Sequence, residues 1–99
     1  MDVDFADLQA LLALSDTLHF GRAADRLHVS QPALSKRLRR MEERIGGPLL
    51  LRGYRDVRLT DAGRLLVARG RHLVGEAAAA IALTQRAARG EAGLLRIGF

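Results

Sequence analysis

Phe20-Gly21-Arg22-Ala23-Ala24-Asp25-Arg26-Leu27-His28-Val29-Ser30-Gln31-Pro32-Ala33-Leu34-Ser35-Lys36-Arg37-Leu38-Arg39-Arg40-Met41-Glu42-Glu43-Arg44-Ile45 decides the architecture of this chain. A short helix is expected from Arg22 to His28, where Ala23, Ala24 and Leu27 let a neighbour approach closely. Val29-Ser30 interrupts the pattern, and Ser30 is the natural cap of a second helix that Gln31-Pro32 opens, since a proline in a first turn removes a donor that has no partner there. That helix carries Leu34, Leu38, Met41 and Ile45 on one stripe and ends at Gly46-Gly47-Pro48. Two helices crossing tightly need a small residue, supplied by Ala24, and the turn between them needs an apolar plug, read as Val29. Stepping 100° per residue from Leu34, the side chains of Pro32, Lys36, Arg39 and Glu43 lie opposite the buried stripe. Ser35 stands on the flank and Gln31 at the tip.

Upstream, the spacing of Phe5, Leu8, Leu11, Leu12 and Leu18 predicts a helix from Asp4 to Leu18, with Asp4 as cap and Asp7 in the first turn. Downstream, the period changes. Leu49-Leu50-Leu51-Arg52 and Val57-Arg58-Leu59-Thr60 flank a four-residue turn, Gly53 to Asp56, which predicts a hairpin pairing Arg52 with Val57, Leu51 with Arg58 and Leu50 with Leu59. Leu50, Val57 and Leu59 then share the core face. Thr60 caps a long helix to about Arg89, on the order of 43 Å, more than so small a domain can cover. The expected fold is mainly α: a winged helix-turn-helix over residues 1–60, a long linker and dimerisation helix over 61–89, and over 90–99 a hinge and the start of a further domain, its first strand at Leu94 to Phe99.

Charge narrows the function. Sixteen basic residues, all arginine but Lys36, stand against eleven acidic ones. Residues 1–21 hold four acids and no base, whereas 22–58 hold ten bases and four acids. A basic charge focused on the middle of a 99-residue chain points to a polyanion, nucleic acid first. The plain alternative is a solvated arginine-rich surface. Cysteine is absent, which excludes disulfides and thiol chemistry. No apolar run approaches the roughly 18 residues of a spanning helix, so no membrane partner is expected, and an acidic start without an apolar run to follow predicts a cytoplasmic protein. His19, His28 and His72 have no ligand set around them, and Ser15, Asp16 and His19 sit on one helix that cannot orient them as nucleophile, base and orienter. Neither a metal site nor catalysis is expected.

The segment from Phe20 through Arg52, above all Ala23-Ala24 and Ser30-Gln31-Pro32-Ala33-Leu34-Ser35, resembles the LysR-type transcriptional regulators, as does Leu59-Thr60 with Ala62-Gly63 further on. The resemblance covers residues 1 to about 89, that family's DNA-binding half. It implies sequence-specific double-stranded DNA binding in bacterial promoters carrying an interrupted inverted repeat. It also implies a homodimer, a tetramer for the full-length protein, and a small-molecule co-inducer bound by a separate domain rather than by this segment. Carried over by position, the base-contacting residues are Gln31, Pro32, Ser35 and Lys36, and the wing arginines Arg52 and Arg55; Ser30, Arg39 and Arg40 complete the expected DNA-binding set. Three positions depart from the family: Leu50 where phenylalanine is usual, Leu51 where a polar residue is usual, and Lys36 where arginine is common, exchanging a bidentate guanine contact for a point charge.

Each assignment has a plainer competitor. Gln31 and Ser35 also fit a solvated first turn, and Arg39 and Arg40 could be partners of Glu43 and Glu42. The long helix bears a stripe of mostly small residues, Leu66, Leu73, Ala77, Ala80, Ile81, Thr84 and Ala88, which fits a dimer seam or an alanine-rich solvated helix. A sequence-tolerant architectural DNA binder is the rival function.

Overall fold

The computed structural model of the chain describes residues 2–53 and 57–90. Four helices and one hairpin follow in order: α1 Phe5–Thr17, α2 Phe20–Leu27, α3 Gln31–Ile45, β1 Leu50–Arg52, β2 Val57–Leu59 and α4 Asp61–Ala88. The strands are antiparallel, with Leu50 opposite Leu59, Leu51 opposite Arg58 and Arg52 opposite Val57, the register expected from the alternation. Leu50 is buried and Leu51 exposed, so the period of two puts the intended face inward. The tip of the turn, with Arg55, lies outside the described residues, as does the strand expected at Leu94 to Phe99.

Each boundary has a local cause. Asp4 and Asp7 form a reciprocal capping box: the Asp7 amide donates to Asp4 Oδ1 at 2.9 Å and the Asp4 amide to Asp7 Oδ2 at 3.0 Å. The hydrogen bond from the Asp7 amide holds the Asp4 carboxyl below its ordinary value, with the Arg37 charge adding to it. The cap's contribution is therefore present above the ordinary carboxylate pKa and is lost as pH falls through the lowered one. Ser30 caps α3 by accepting from the Ala33 amide at 3.2 Å, and Thr60 caps α4 by accepting from Gly63 at 3.0 Å.

Helix α2 begins two residues earlier than the sequence predicts. The cause is His19, whose Nδ1 accepts from the Arg22 amide at 3.1 Å and so brings Phe20 and Gly21 into the first turn. Leu18 and His28 then end α1 and α2 in the left-handed conformation, φ 51° and 58°.

The core joins Ala10, Leu11, Ala13 and Leu14 of α1, Ala23 and Ala24 of α2, Leu34, Leu38 and Met41 of α3, Leu49 and Leu50, and Val67 of α4. Four apolar residues expected inside are not. Val29 is 44% exposed and Ile45 43% exposed, and Phe5 and Leu18 are open as well. All four sit at or just beyond element ends, and Ala23, Ala24 and Leu34 rather than Val29 are the buried residues around the turn.

One charged side chain is buried among these. Asp7 is 2% exposed and takes a 2.7 Å hydrogen bond from Arg37 Nη1 across to α3, while its other oxygen closes the capping box. Asp7→Ala removes both and leaves Arg37, itself partly solvated, with only the Asp4 carboxylate 3.9 Å away. We expect a loss of about 2 kcal/mol, read as a melting temperature lowered by roughly 8–16 °C. An unshifted melt would show that water replaces both bonds at no cost.

Candidate nucleic-acid interface

Burial of Leu34, Leu38 and Met41 turns the opposite side of α3 to solvent. There Gln31, Pro32, Ser35, Lys36 and Arg39 line one shallow depression, which unites the positions derived from helical stepping except Glu43, further along the helix. Arg40 lies around the helix on the rim of a second groove, between α1 and α3, together with Lys36 and Arg37. Ser30 stands at the tip with its hydroxyl oxygen engaged as the helix cap. The start of α2 adjoins this face: a Cβ built on Gly21 would come within 3.7 Å of Gln31 Oε1.

The described cations divide into two sets. Arg37 is held by Asp7, Arg52 by Glu42, and Arg26 and Arg71 both by Asp16, while Arg64 pairs with Asp61. Arg44 donates to the Asp2 carbonyl. The side chains of Lys36, Arg39, Arg40 and Arg22, and of Arg69 on α4, make no hydrogen bond or ion pair among the described residues. The alternative of Arg39 and Arg40 as helix-surface partners of Glu43 and Glu42 therefore does not form; Glu42 is occupied elsewhere. Unpaired cations beside an exposed amide and hydroxyl can grip phosphate and donate to base edges without first breaking an internal bond.

Arg52 differs from the other expected contact residues. Its Nη2 donates to Glu42 Oε1 at 3.1 Å and its guanidinium stands 5.7 Å from the Phe20 ring centroid. Glu42 Oε2 accepts from the Leu49 amide at 2.8 Å and the Leu50 amide at 3.3 Å. Sequence reasoning named Glu42 only as a possible partner of Arg40, and no periodicity marks its real role, because its partners lie 7 to 10 residues further along the chain.

On α4, only the first third is covered by its own chain. Gly63, Val67 and Gly70 are buried and Leu66 packs against the core, so this part of the small-residue stripe is spent on α1 and the wing. Beyond it Leu73, Ala80, Ile81, Thr84 and Ala88 are exposed and Ala77 half-buried. Ala80, Ile81, Thr84 and Ala88 line a shallow apolar groove with Gln85. No described helix is long and apolar enough to cross a membrane.

The family model of the lysR-family bacterial regulatory helix-turn-helix proteins matches residues 5–64. YnfL, an uncharacterized HTH-type transcriptional regulator of Escherichia coli, is 43% identical over 99 residues, which is 100% of this chain and 33% of the relative. AlsR, an HTH-type transcriptional regulator of Bacillus subtilis, is 43% identical over 97 residues, 98% of this chain and 32% of its own length. The chain thus spans about a third of the length of these curated relatives. Among solved structures, the BenM DBD complex with catB site 1 DNA is 31% identical with a TM-score of 0.85, covering 89% of this chain and 99% of that one. The CbnR DBD complex with DNA is 30% identical with a TM-score of 0.79, covering 86% and 98%. With helix-turn-helix, wing and the first turn of α4 all inside the matched span, the chain belongs to the lysR family of bacterial regulatory helix-turn-helix proteins.

Proposed function

We propose that this chain is the sequence-specific DNA-binding segment of a bacterial transcriptional regulator, laying α3 in a major groove and the hairpin against the adjoining backbone or minor groove. The observation that carries the reading is the α3 face itself: an amide, a hydroxyl and the unpaired cations Lys36 and Arg39 exposed together around one depression. Gln31, Pro32, Ser35 and Lys36 read bases, Ser30, Arg39 and Arg40 hold phosphates beside them, and Arg52 and Arg55 serve the wing. Two neighbours of the same architecture are themselves complexes with DNA, which supports DNA as the partner.

The segment divides by role into the winged domain, residues 1–60, and the linker helix, 61–89. Through α4 two copies pair on an interrupted inverted repeat, and a full-length protein carrying this segment forms tetramers, works in the cytoplasm, catalyses no reaction and takes a small-molecule co-inducer outside the winged domain. The rival, an architectural protein indifferent to sequence, uses the same cations but has no use for the exposed Gln31 amide.

Duplexes selected from a random pool by the chain test the reading. Gln31→Ala is expected to cost about 1–3 kcal/mol on the selected duplex and much less on unselected DNA. Equal losses on both, or a pool that yields no preferred sequence, would turn the assignment to the architectural rival.

A further inference from the structure

The exposed face of α3 accounts for reading bases, but not for how the wing is held at a fixed angle beside it. The hairpin has three residues in each strand, and a two-stranded hairpin that short has little stability of its own. Its orientation must come from what grips its base. On one side Thr60 donates from its amide to the Leu49 carbonyl at 3.0 Å and from its hydroxyl to the Pro48 carbonyl at 2.8 Å, which fixes β1 to the start of α4. On the other side the grip is a single carboxylate.

We propose that Glu42 is the positioning residue that joins the wing to α3, and that Arg52 serves DNA binding through this carboxylate. The inference rests on the DNA-binding reading and deepens it. Glu42 sits on α3 one residue past buried Met41, with its side chain largely buried, and spreads its two oxygens over separate targets. Oε2 takes the two amides that lead into β1, and Oε1 takes the Arg52 guanidinium at the far end of that strand. The Phe20 ring beneath Arg52 extends the chain of contacts to the start of α2. One side chain therefore ties both ends of β1 to the helix that enters the groove, so the angle of α3 and the reach of the wing are set together. The pairing in the sheet puts Arg52 on the same side as Leu50, toward the core and away from Leu51 and Arg58. A guanidinium so placed is anchored by a charge-assisted bond and a ring face, unlike Lys36, Arg39 and Arg40.

Gln at position 42 still offers an oxygen to the Leu49 and Leu50 amides but presents its amide hydrogens to Arg52, so Glu42→Gln releases the arginine alone. Binding of Glu42→Gln, Arg52→Met and the double variant is measured on the duplex selected by the unmodified 99-residue chain, with backbone cleavage protection mapped along the site and amide exchange followed at Leu49 and Leu50 in the free protein. Each single variant is expected to lose affinity by about tenfold, and the double variant no more than either alone. Protection should vanish at the nucleotides under the wing and persist under α3, and the Leu49 and Leu50 amides should stay protected in Glu42→Gln. A larger loss for Arg52→Met than for Glu42→Gln, with additive losses in the double variant, overturns the proposal and makes Arg52 a direct DNA contact. Uniform weakening across the whole site, in step with a lowered melting temperature, overturns it in favour of a purely structural pair. An unmodified chain that selects no duplex overturns the sequence-specific reading and the inference with it, whereas a selected duplex bound by Glu42→Gln with full wing protection overturns the inference alone.

Discussion

Gly63→Ala is expected to destabilise the chain by more than about 3 kcal/mol and lower its melting temperature by at least roughly 12 °C, although it adds one methyl group to a helix that alanine otherwise favours. A Cβ on Gly63 would stand 2.1 Å from the Leu49 carbonyl oxygen and 3.1 Å from its carbon. Neither atom belongs to a flexible side chain. The same carbonyl accepts from the Thr60 amide, and Thr60 caps the very turn that contains Gly63, so relieving the clash means pulling α4 off the base of the wing and breaking its cap together. Two other glycines of α4 supply the control. At Gly70 the nearest atoms are the Leu8 and Leu12 Cδ2 at 3.6 and 3.7 Å, ordinary contact, and at Gly75 nothing lies within 4 Å. Gly75→Ala should therefore stabilise by about 0.5–1 kcal/mol through helix propensity, and Gly70→Ala should be neutral or better. Thermal melts of the three variants check this, and a Gly63→Ala protein melting within a few degrees of the unmodified one would mean that α4 rides more loosely on the hairpin than the geometry requires.

Where the sequence was legible, a single residue type did one job at a known offset. Ser30, Pro32 and Gly46 bound α3 as their chemistry demands, Thr60 starts α4, and the alternation through Leu50, Leu51 and Leu59 was enough for the hairpin register. The exposed α3 face followed from the 3.6-residue repeat, since burying Leu34, Leu38 and Met41 leaves Gln31, Pro32, Ser35, Lys36 and Arg39 no other side to occupy. What sequence did not reveal is how the charges are allocated. Arg37 and Asp7 are 30 residues apart, Arg71 and Asp16 55 apart, and no local pattern distinguishes these committed arginines from Arg39 and Arg40. His19 escaped for a different reason: imidazole is not among the favoured caps, and it caps α2 only because its Nδ1 can accept a hydrogen bond from a backbone amide. Val29 and Ile45 show the limit of periodicity at helix ends, where the stripe continues in sequence after the covering neighbour has stopped.

The same division of α4 into a covered and an uncovered part leads to the second large effect. Its 28 residues extend about 42 Å, yet its buried positions stop at Gly70, leaving Ala80, Thr84 and Ala88 on one uncovered side with Leu73 and Ile81, the latter 59% exposed. Water would be left against that strip in a lone copy, and small residues in its middle allow a second copy to approach closely. Under the proposed function, twofold pairing along this seam would place two α3 helices in successive major grooves on one side of a duplex, so that binding one half-site would raise the local concentration of the second reader. Ala80→Glu puts an unpartnered carboxylate into the seam, where desolvation is costly, while in a single chain the same position is open to water and the fold loses nothing. The variant is expected to sediment as a monomer, keep its helical content and melting behaviour in the winged domain, and bind the selected inverted-repeat duplex weaker by roughly a hundredfold or more, with affinity for an isolated half-site unchanged. Ala82→Glu is the matched control: at 100° per residue it lies about 200° around the helix from Ala80, away from the seam, and should leave both the dimer and the binding intact. A dimer that survives Ala80→Glu, or a monomer produced equally by Ala82→Glu, would move the pairing surface off this stripe.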